Sequence, residues 1–186
     1  MAEPTILRDI ARSLPPAVGA LVSVGLTGPA TRLSFRGGPE AAEACAAAFG
    51  CALPREACRA SETGDHAALW LGPDEWLLLA PETDTAALFA SIEAATAAIP
   101  HALIDISHRQ LGFALSGPQV EPLLNTGCPL DLGLSAFPVG MCTRTVLAKC
   151  DVVLWRCAPK TFRLEVNRSF ADYVVAYLRM AERGLG

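Results

Sequence analysis

The chain has 186 residues, 15 Lys+Arg against 19 Asp+Glu, a net charge of -4, 52% apolar residues and 18% charged ones. That apolar content excludes a disordered tail, even with 32 alanines inflating it, and a chain of this length can bury about two-thirds of its unfolded surface. Only Lys149 and Lys160 accompany 13 scattered arginines, so no basic stripe exists to track a nucleic-acid backbone.

The uncharged stretch from Ser13 to Thr31 has nearly the length of a membrane span, but Pro15, Pro16 and Pro29 with Gly19, Gly25 and Gly28 break it as a helix. Glu3 and Asp9 beside Arg8 and Arg12 remove the net positive charge of a secretion signal. Residues 1–30 therefore read as an N-terminal arm suited to lie over another protein, with a surface strand around Leu21 to Leu26 as the equal alternative. Arg32 to Arg36 alternates like a strand. Glu40 to Phe49 reads as a helix, opened by Gly38-Pro39 and closed by Gly50. Arg55 to Ser61 is taken as a strand, and Leu69 to Leu79 as a hairpin turning at Gly72-Pro73-Asp74-Glu75. A longer helix runs from Asp84 to Ile99, with Leu88, Ile92, Ala95 and Ile99 on one face before Pro100.

The second half repeats this order. Ala102 to Ile106 and Leu111 to Leu115 are strands, and Gly117-Pro118 leads through Val120, Leu123 and Leu124 to Gly127-Cys128 as Gly38-Pro39 leads to Gly50-Cys51. Cys142 to Lys149 is a strand. Leu154-Trp155 and Phe162, joined by Ala158-Pro159-Lys160-Thr161, mirror Leu69-Trp70 and Trp76. A last helix, Phe170 to Arg183, places Tyr173, Val174, Tyr177, Leu178 and Ala181 on one stripe. The expected architecture is α+β: duplicated ββαβββα subdomains with mainly antiparallel sheets and helices on one face, because parallel neighbours would need a crossover at every step. With no Ser/Gly linker between them, the two repeats, about 31–100 and 101–186, are expected to form a single pseudo-symmetric domain.

Little in the chain has the spacing of a chemical site. Seven cysteines at 45, 51, 58, 128, 142, 150 and 157 include no CxxC, which argues against a zinc ribbon or redox pair and for reduced thiols in a cytoplasmic setting. The Gly-rich patches at Val24 to Pro29 and Arg36 to Pro39 lack both GxGxxG and GxxxxGK[ST], and a proline after the glycine removes a backbone donor. Asp105-Ile106-Ser107-His108 compresses three catalytic residue types, but strand alternation would send Asp105 and Ser107 to the face opposite His108. A turn in which Asp105 or Ser107 bonds backbone N–H groups is the simpler reading. Asp74-Glu75 at a hairpin tip and Asp131 after a Pro-Leu pair read as solvated turn residues, and Trp70, Trp76 and Trp155 as core aromatics. A thiol hydrolase pairing a cysteine with His66 or His108 is a competing possibility, since only these and His101 could serve as base.

Leu103 to Gln110, with Asp105-Ile106-Ser107-His108 followed by Leu115-Ser116-Gly117-Pro118 and a short helix, resembles the D-[VL]-S-H strand and G-x-[DP] turn of the aminomethyltransferase (glycine-cleavage T-protein) superfamily. The fuller pattern covers most of the chain from Thr31: Leu71 to Leu78, Asp105 to Arg109, Gly127 to Leu132, Phe137 to Gly140, Thr143 to Thr145, and Phe162 to Val166 with Arg168 to Phe170. It resembles the gamma-subunit family of heterotetrameric sarcosine oxidases. That resemblance implies an aminomethyltransferase folate-binding-domain-like fold whose two subdomains exchange their first strands. It implies a complex that demethylates sarcosine to glycine, releases hydrogen peroxide and passes a one-carbon unit to tetrahydrofolate, with FAD, FMN, NAD and tetrahydrofolate in the other subunits. The Gly-Gly-x-x-Asp-Asp stretch of folate-handling members is missing, since Gly37-Gly38 is followed by Pro39-Glu40.

The expectation is thus a cytoplasmic, non-catalytic subunit with no catalytic, cofactor-binding or metal-binding residue of its own. Its partners would be the large flavoprotein subunits, and its apolar docking surface allows self-association when isolated; neither nucleic acid nor membrane is an expected partner. A stand-alone folate-binding or aminomethyl-transfer protein is the rival from another class.

Overall fold

The computed structural model describes residues 21–185. The part of the proposed arm before Leu21 lies outside the described residues. The chain divides into two compact units, and neither is contiguous in sequence.

The first unit comprises residues 28–110 with 140–143. Its five-stranded sheet has the order β3-β4-β5-β2-β6, built from β2 (Ala30–Gly37), β3 (Ala60–Thr63), β4 (His66–Gly72), β5 (Glu75–Pro81) and β6 (His101–Asp105). All four neighbouring pairs are antiparallel, with Leu33 facing Leu78 on one side and Asp105 on the other. Helices α1 (Pro39–Phe49) and α2 (Thr85–Thr96) share one core with alternate strand residues: Leu33 and Phe35 on β2, Ala68 on β4, and Trp76, Leu78 and Ala80 on β5. Period-two alternation selects that face, and the helices supply Ala41, Ala42, Cys45, Phe49, Leu88, Phe89 and Ile92 against it. Pro39 opens α1 where its missing N–H costs nothing, and Gly50 closes it at φ 76, returning its N–H to Ala46 O.

The second unit comprises the described residues up to Thr27, residues 111–139 and the chain from Arg144 on. Its sheet runs β1-β7-β10-β9-β8, from β1 (Ser23–Leu26), β7 (Gln110–Ser116), β8 (Cys142–Leu147), β9 (Cys150–Ala158) and β10 (Thr161–Asn167). β1 pairs antiparallel with β7 from Ser23 opposite Ser116 to Leu26 opposite Phe113. Val22 and Val24 are buried, so Leu21 to Leu26 takes the strand reading of that segment. Short helix α3 (Val120–Asn125) buries Val120, Leu123 and Leu124, and α4 (Ala171–Arg183) closes the chain.

The first strand of each repeat lies in the sheet of the other repeat: β1 joins the sheet of β8 to β10, and β6 joins that of β3 to β5. The α+β class, the duplicated ββαβββα order and the antiparallel sheets are as read from the sequence.

Several local expectations need correction. Arg55 to Ser61 is not a strand throughout: β3 starts at Ala60, and Cys58 just before it adopts φ 59, which breaks extended backbone. β8 stops at Leu147 because Ala148, at φ 54, forms the turn into β9. α2 ends at Thr96 rather than Ile99, and its buried stripe takes Thr96 in place of the exposed Ala95. A polar residue fits there because Thr96 Oγ1 donates to Ile92 O at 2.7 Å. On α4 the stripe is Ala171, Val174, Val175, Leu178 and Ala181; Tyr173 is exposed, and Tyr177 meets Thr126 Oγ1 at 2.7 Å through its hydroxyl. β6 ends at Asp105, and Ser107 to Arg109 form a turn, so strand alternation does not apply to Ser107 and His108.

Candidate functional site

Asp105 accepts hydrogen bonds on Oδ1 from Ser107 N at 2.9 Å and Ser107 Oγ at 2.5 Å. The Ser107 Oγ accepts in turn from Arg32 N at 2.9 Å, and Ile106 N donates to Arg32 O at 2.9 Å. These bonds fasten the turn after β6 to the buried start of β2. The serine has spent its proton on Asp105, and no hydrogen bond links it to His108, which is exposed. The cluster is therefore a turn clamp of the Asx type rather than a nucleophile with its base.

The other two histidines, His66 and His101, are committed to structure. His66 Nδ1 donates to Phe49 O at 2.6 Å, satisfying the last carbonyl of α1, and its ring stacks on Phe49 at 4.8 Å between centroids. His101 uses Nδ1 for Ile99 O at 2.9 Å and Nε2 for Thr96 Oγ1 at 3.0 Å, while stacking on Phe35.

All seven cysteines are free thiols. Burial pushes Cys45 up to about 12, and Cys142 up to about 12 with a smaller contribution from Cys58. Burial, then the charge of Asp151, raises Cys150. Shifts in that direction disfavour the thiolate, which is the reverse of what a thiol hydrolase needs.

The remaining candidates are structural too. Asp74 holds Arg36 through both oxygens, at 3.0 and 2.9 Å, in an exposed pair, so it is an ion-pair partner rather than a merely solvated residue. Glu75 begins β5, and Asp131 Oδ1 accepts from Gly133 N at 2.8 Å. Trp76 and Trp155 are buried and Trp70 packs against the first core; the indole N–H of Trp76 donates to Pro54 O at 2.8 Å. Gly37 ends β2, where a Cβ would stand 2.7 Å from that of Ala41, and Gly38 caps α1. Their place is close packing of strand against helix rather than a phosphate cradle. No group of His, Cys, Asp and Glu among the described residues has the arrangement of a metal site.

The most concentrated electrostatics lie in a cluster missed by motif reading. Arg156 on β9 is fully buried. Its Nη1 donates to Pro159 O at 2.8 Å, and its Nη2 to Glu121 Oε1 at 2.8 Å and to Leu132 O. The guanidinium lies 4.4 Å from the Phe162 ring centre, a cation–π arrangement. Lys160 Nζ reaches the other Glu121 oxygen at 2.7 Å. The Lys160 hydrogen bond is the main force holding the Glu121 carboxyl below its ordinary range; burial opposes it and Arg156 adds to it. One side chain thus joins α3, the segment at Leu132 and the β9–β10 turn. A signal existed in the sequence: alternation in β9 puts Arg156 on the same face as Leu154 and Val152, opposite Phe162, which is an inward arginine.

What these residues define is a scaffold with ordered turns and a buried ion cluster. The architecture superposes on the glycine cleavage system aminomethyltransferase T from Bartonella henselae with a TM-score of 0.66 at 15% identity, over 93% of this chain and 48% of that one. The chain has the aminomethyltransferase-like fold. Within that class it belongs to the sarcosine oxidase, gamma subunit family, whose model matches residues 36–183. It is 37% identical over 136 residues to the sarcosine oxidase subunit gamma of Corynebacterium sp. (strain P-1), covering 73% of this chain and 66% of that protein. The Arthrobacter sp. subunit gamma is 35% identical over 152 residues, 80% of this chain and 74% of that one. The chain thus spans about two thirds to three quarters of the length of these relatives. It also superposes on a chain of the heterotetrameric sarcosine oxidase from Corynebacterium sp. U-96 in complex with pyrrole 2-carboxylate, with a TM-score of 0.85 at 30% identity, over 96% of this chain and 92% of that one.

Proposed function

We propose that this chain is the structural, non-catalytic gamma subunit of a heterotetrameric sarcosine oxidase, an oxidoreductase that demethylates sarcosine. The observation that carries the reading is the superposition on the Corynebacterium sp. U-96 enzyme along 96% of the chain at a TM-score of 0.85. The local chemistry supports it: Ser107 is spent on a turn, His66 and His101 hold backbone carbonyls, and burial raises Cys45, Cys142 and Cys150. FAD, FMN, NAD and tetrahydrofolate belong to the other subunits, and this chain contributes no catalytic, cofactor-binding or metal-binding residue. Its two repeats, 31–100 and 101–186, act as one pseudo-symmetric domain that docks on the large flavoprotein subunits in the cytoplasm. No helix of the described residues is long and apolar enough to cross a membrane.

Co-expression with the large flavoprotein subunits tests the proposal. The chain is expected to co-elute with them in size-exclusion chromatography, and the complex to oxidise sarcosine. The purified chain alone is expected to show neither sarcosine oxidation nor micromolar binding of tetrahydrofolate by calorimetry. Turnover by the isolated chain, or failure to co-elute, overturns the reading, and tight folate binding transfers it to the aminomethyl-transfer alternative.

A further inference from the structure

Cys58 and Cys142 stand opposite one another where the loop before β3 meets the start of β8. Arg59 and Met141 form an antiparallel bridge, flanked by Ala60 N donating to Gly140 O at 2.8 Å and Cys142 N donating to Cys58 O at 3.0 Å. Cys58 and Cys142 are the residues next to this isolated bridge, joined by the second of those hydrogen bonds. The Cys142 N–Cys58 O hydrogen bond ties the two cysteine backbones directly to each other, and a disulfide needs Cα atoms roughly 4.4–6.8 Å apart. Both thiols are free. Their environments differ: Cys58 is half-buried on a tight turn at φ 59, whereas Cys142 is fully buried and its Sγ donates to Trp70 O at 3.5 Å.

We propose that Cys58 and Cys142 form a peroxide-responsive thiol pair, in which Cys58 is oxidised first and Cys142 then closes an intrachain disulfide. The Cys58 thiolate attacks one oxygen of a hydroperoxide, the O–O bond breaks, and the released oxygen leaves as water or alcohol after taking a proton. Cys58 is then a sulfenic acid. The Cys142 sulfur, on losing its proton, attacks the Cys58 sulfur; the S–O bond breaks and water departs with that proton. Two thiols lose two electrons in total, and hydrogen peroxide is reduced to two waters. Exposure sets the order, because only Cys58 of the two reaches solvent. Burial is the main cause pushing the Cys142 thiol up to about 12 and persists once Cys58 is a neutral sulfenic acid, so disulfide closure is the slow step. Its rate rises about tenfold per pH unit below that value, in proportion to the thiolate fraction.

The test treats the full chain with hydrogen peroxide at pH 7, removes the oxidant, and jumps samples to pH 8 or 9 before quenching with N-ethylmaleimide and mapping peptides. The expected result is a dimedone-reactive Cys58 at pH 7 that converts to a linked Cys58–Cys142 peptide, two hydrogens lighter, about tenfold faster for each unit of pH. Cys142→Ser is expected to keep dimedone-reactive Cys58 with no linked peptide. Cys58→Ser, at the less buried position, leaves Cys142 unmodified. Oxidation that bypasses Cys58, progression of Cys58 to sulfinic acid without linkage, or closure whose rate ignores pH would each overturn the proposal.

Discussion

Replacing Arg156 with methionine removes a buried cation while keeping most of its volume, and the structure says what is left behind. Pro159 O and Leu132 O lose their donor, and Phe162 loses the guanidinium 4.4 Å from its centre. Glu121 is not stranded, because Lys160 still donates to Oε2 at 2.7 Å. An unsatisfied buried acceptor costs about 1–3 kcal/mol, and a desolvated cation–π contact adds about 1–2 kcal/mol. Pro159 is exposed and its carbonyl can take up water, so the cost comes from the buried Leu132 O and the lost ring contact, about 2–5 kcal/mol in total. At roughly 2–4 °C per kcal/mol for a chain of this size, Tm should fall by about 4–20 °C. Urea unfolding followed by tryptophan fluorescence, beside a thermal melt, measures both quantities. Adding Glu121→Leu should recover part of the loss, since an apolar pair of similar volume is often near-neutral where a half-removed one is not. A single-mutant loss below about 1 kcal/mol, or a double mutant worse than the sum of the singles, would refute this account of the cluster.

Acid should probe the same cluster. Glu121 lies below its ordinary range in the folded chain, chiefly through Lys160, so its contribution is full above the unfolded value near 4.3 and is lost as pH falls through the lower folded value. Lys160→Met should therefore lower stability at pH 7 more than at pH 3, as read from the change in urea midpoint. Gly117→Ala should destabilise by roughly 2–4 kcal/mol, because φ is 133 there and a Cβ would stand 2.5 Å from Leu21 O; an unchanged melting curve would contradict that geometry. Ser107→Ala should cost about 1–2 kcal/mol by removing the hydroxyl that bridges Arg32 N and Asp105, whereas His108→Ala should change stability by less than about 0.5 kcal/mol; both are read by denaturant titration. Iodoacetamide labelling at neutral pH should reach Cys58 and Cys157 before Cys45, Cys142 and Cys150, as checked by peptide mass spectrometry; early labelling of Cys45 would contradict its burial.

The helix ends, hairpins and repeat were legible because each has a local cause. Gly50 in the left-handed region, Pro39 in a first turn and the two-residue turn at Pro73-Asp74 are written in consecutive residues. Strand partnership is not local. Alternation shows that Leu103 and Phe113 belong to strands, yet nothing in it says that β6 and β7, separated only by Ile106 to Arg109, belong to different sheets. Periodicity also misplaced residues where a polar group satisfied itself, as with Thr96 in the buried stripe of α2, and where a left-handed residue such as Cys58 interrupted an otherwise strand-like run. The turn at Asp105 was readable because an Asx turn needs only the next two residues. The Arg156–Glu121 pair joins positions 35 apart in sequence, and only the inward face of β9 betrayed one half of it.

The placement of β1 and β6 constrains how this polypeptide can be made. As the chain leaves the ribosome, Ser23 to Leu26 are synthesised long before Phe113 to Ser116, the residues they pair with, exist. The sheet holding Leu33 and Phe35 likewise waits for Leu103 to supply its edge. A cut after Pro100 would leave each fragment carrying an edge strand that belongs to the other's sheet. Expressed separately, the fragments should reassemble on mixing and fold poorly alone, so any trimming for expression has to respect the weave rather than the midpoint of the gene.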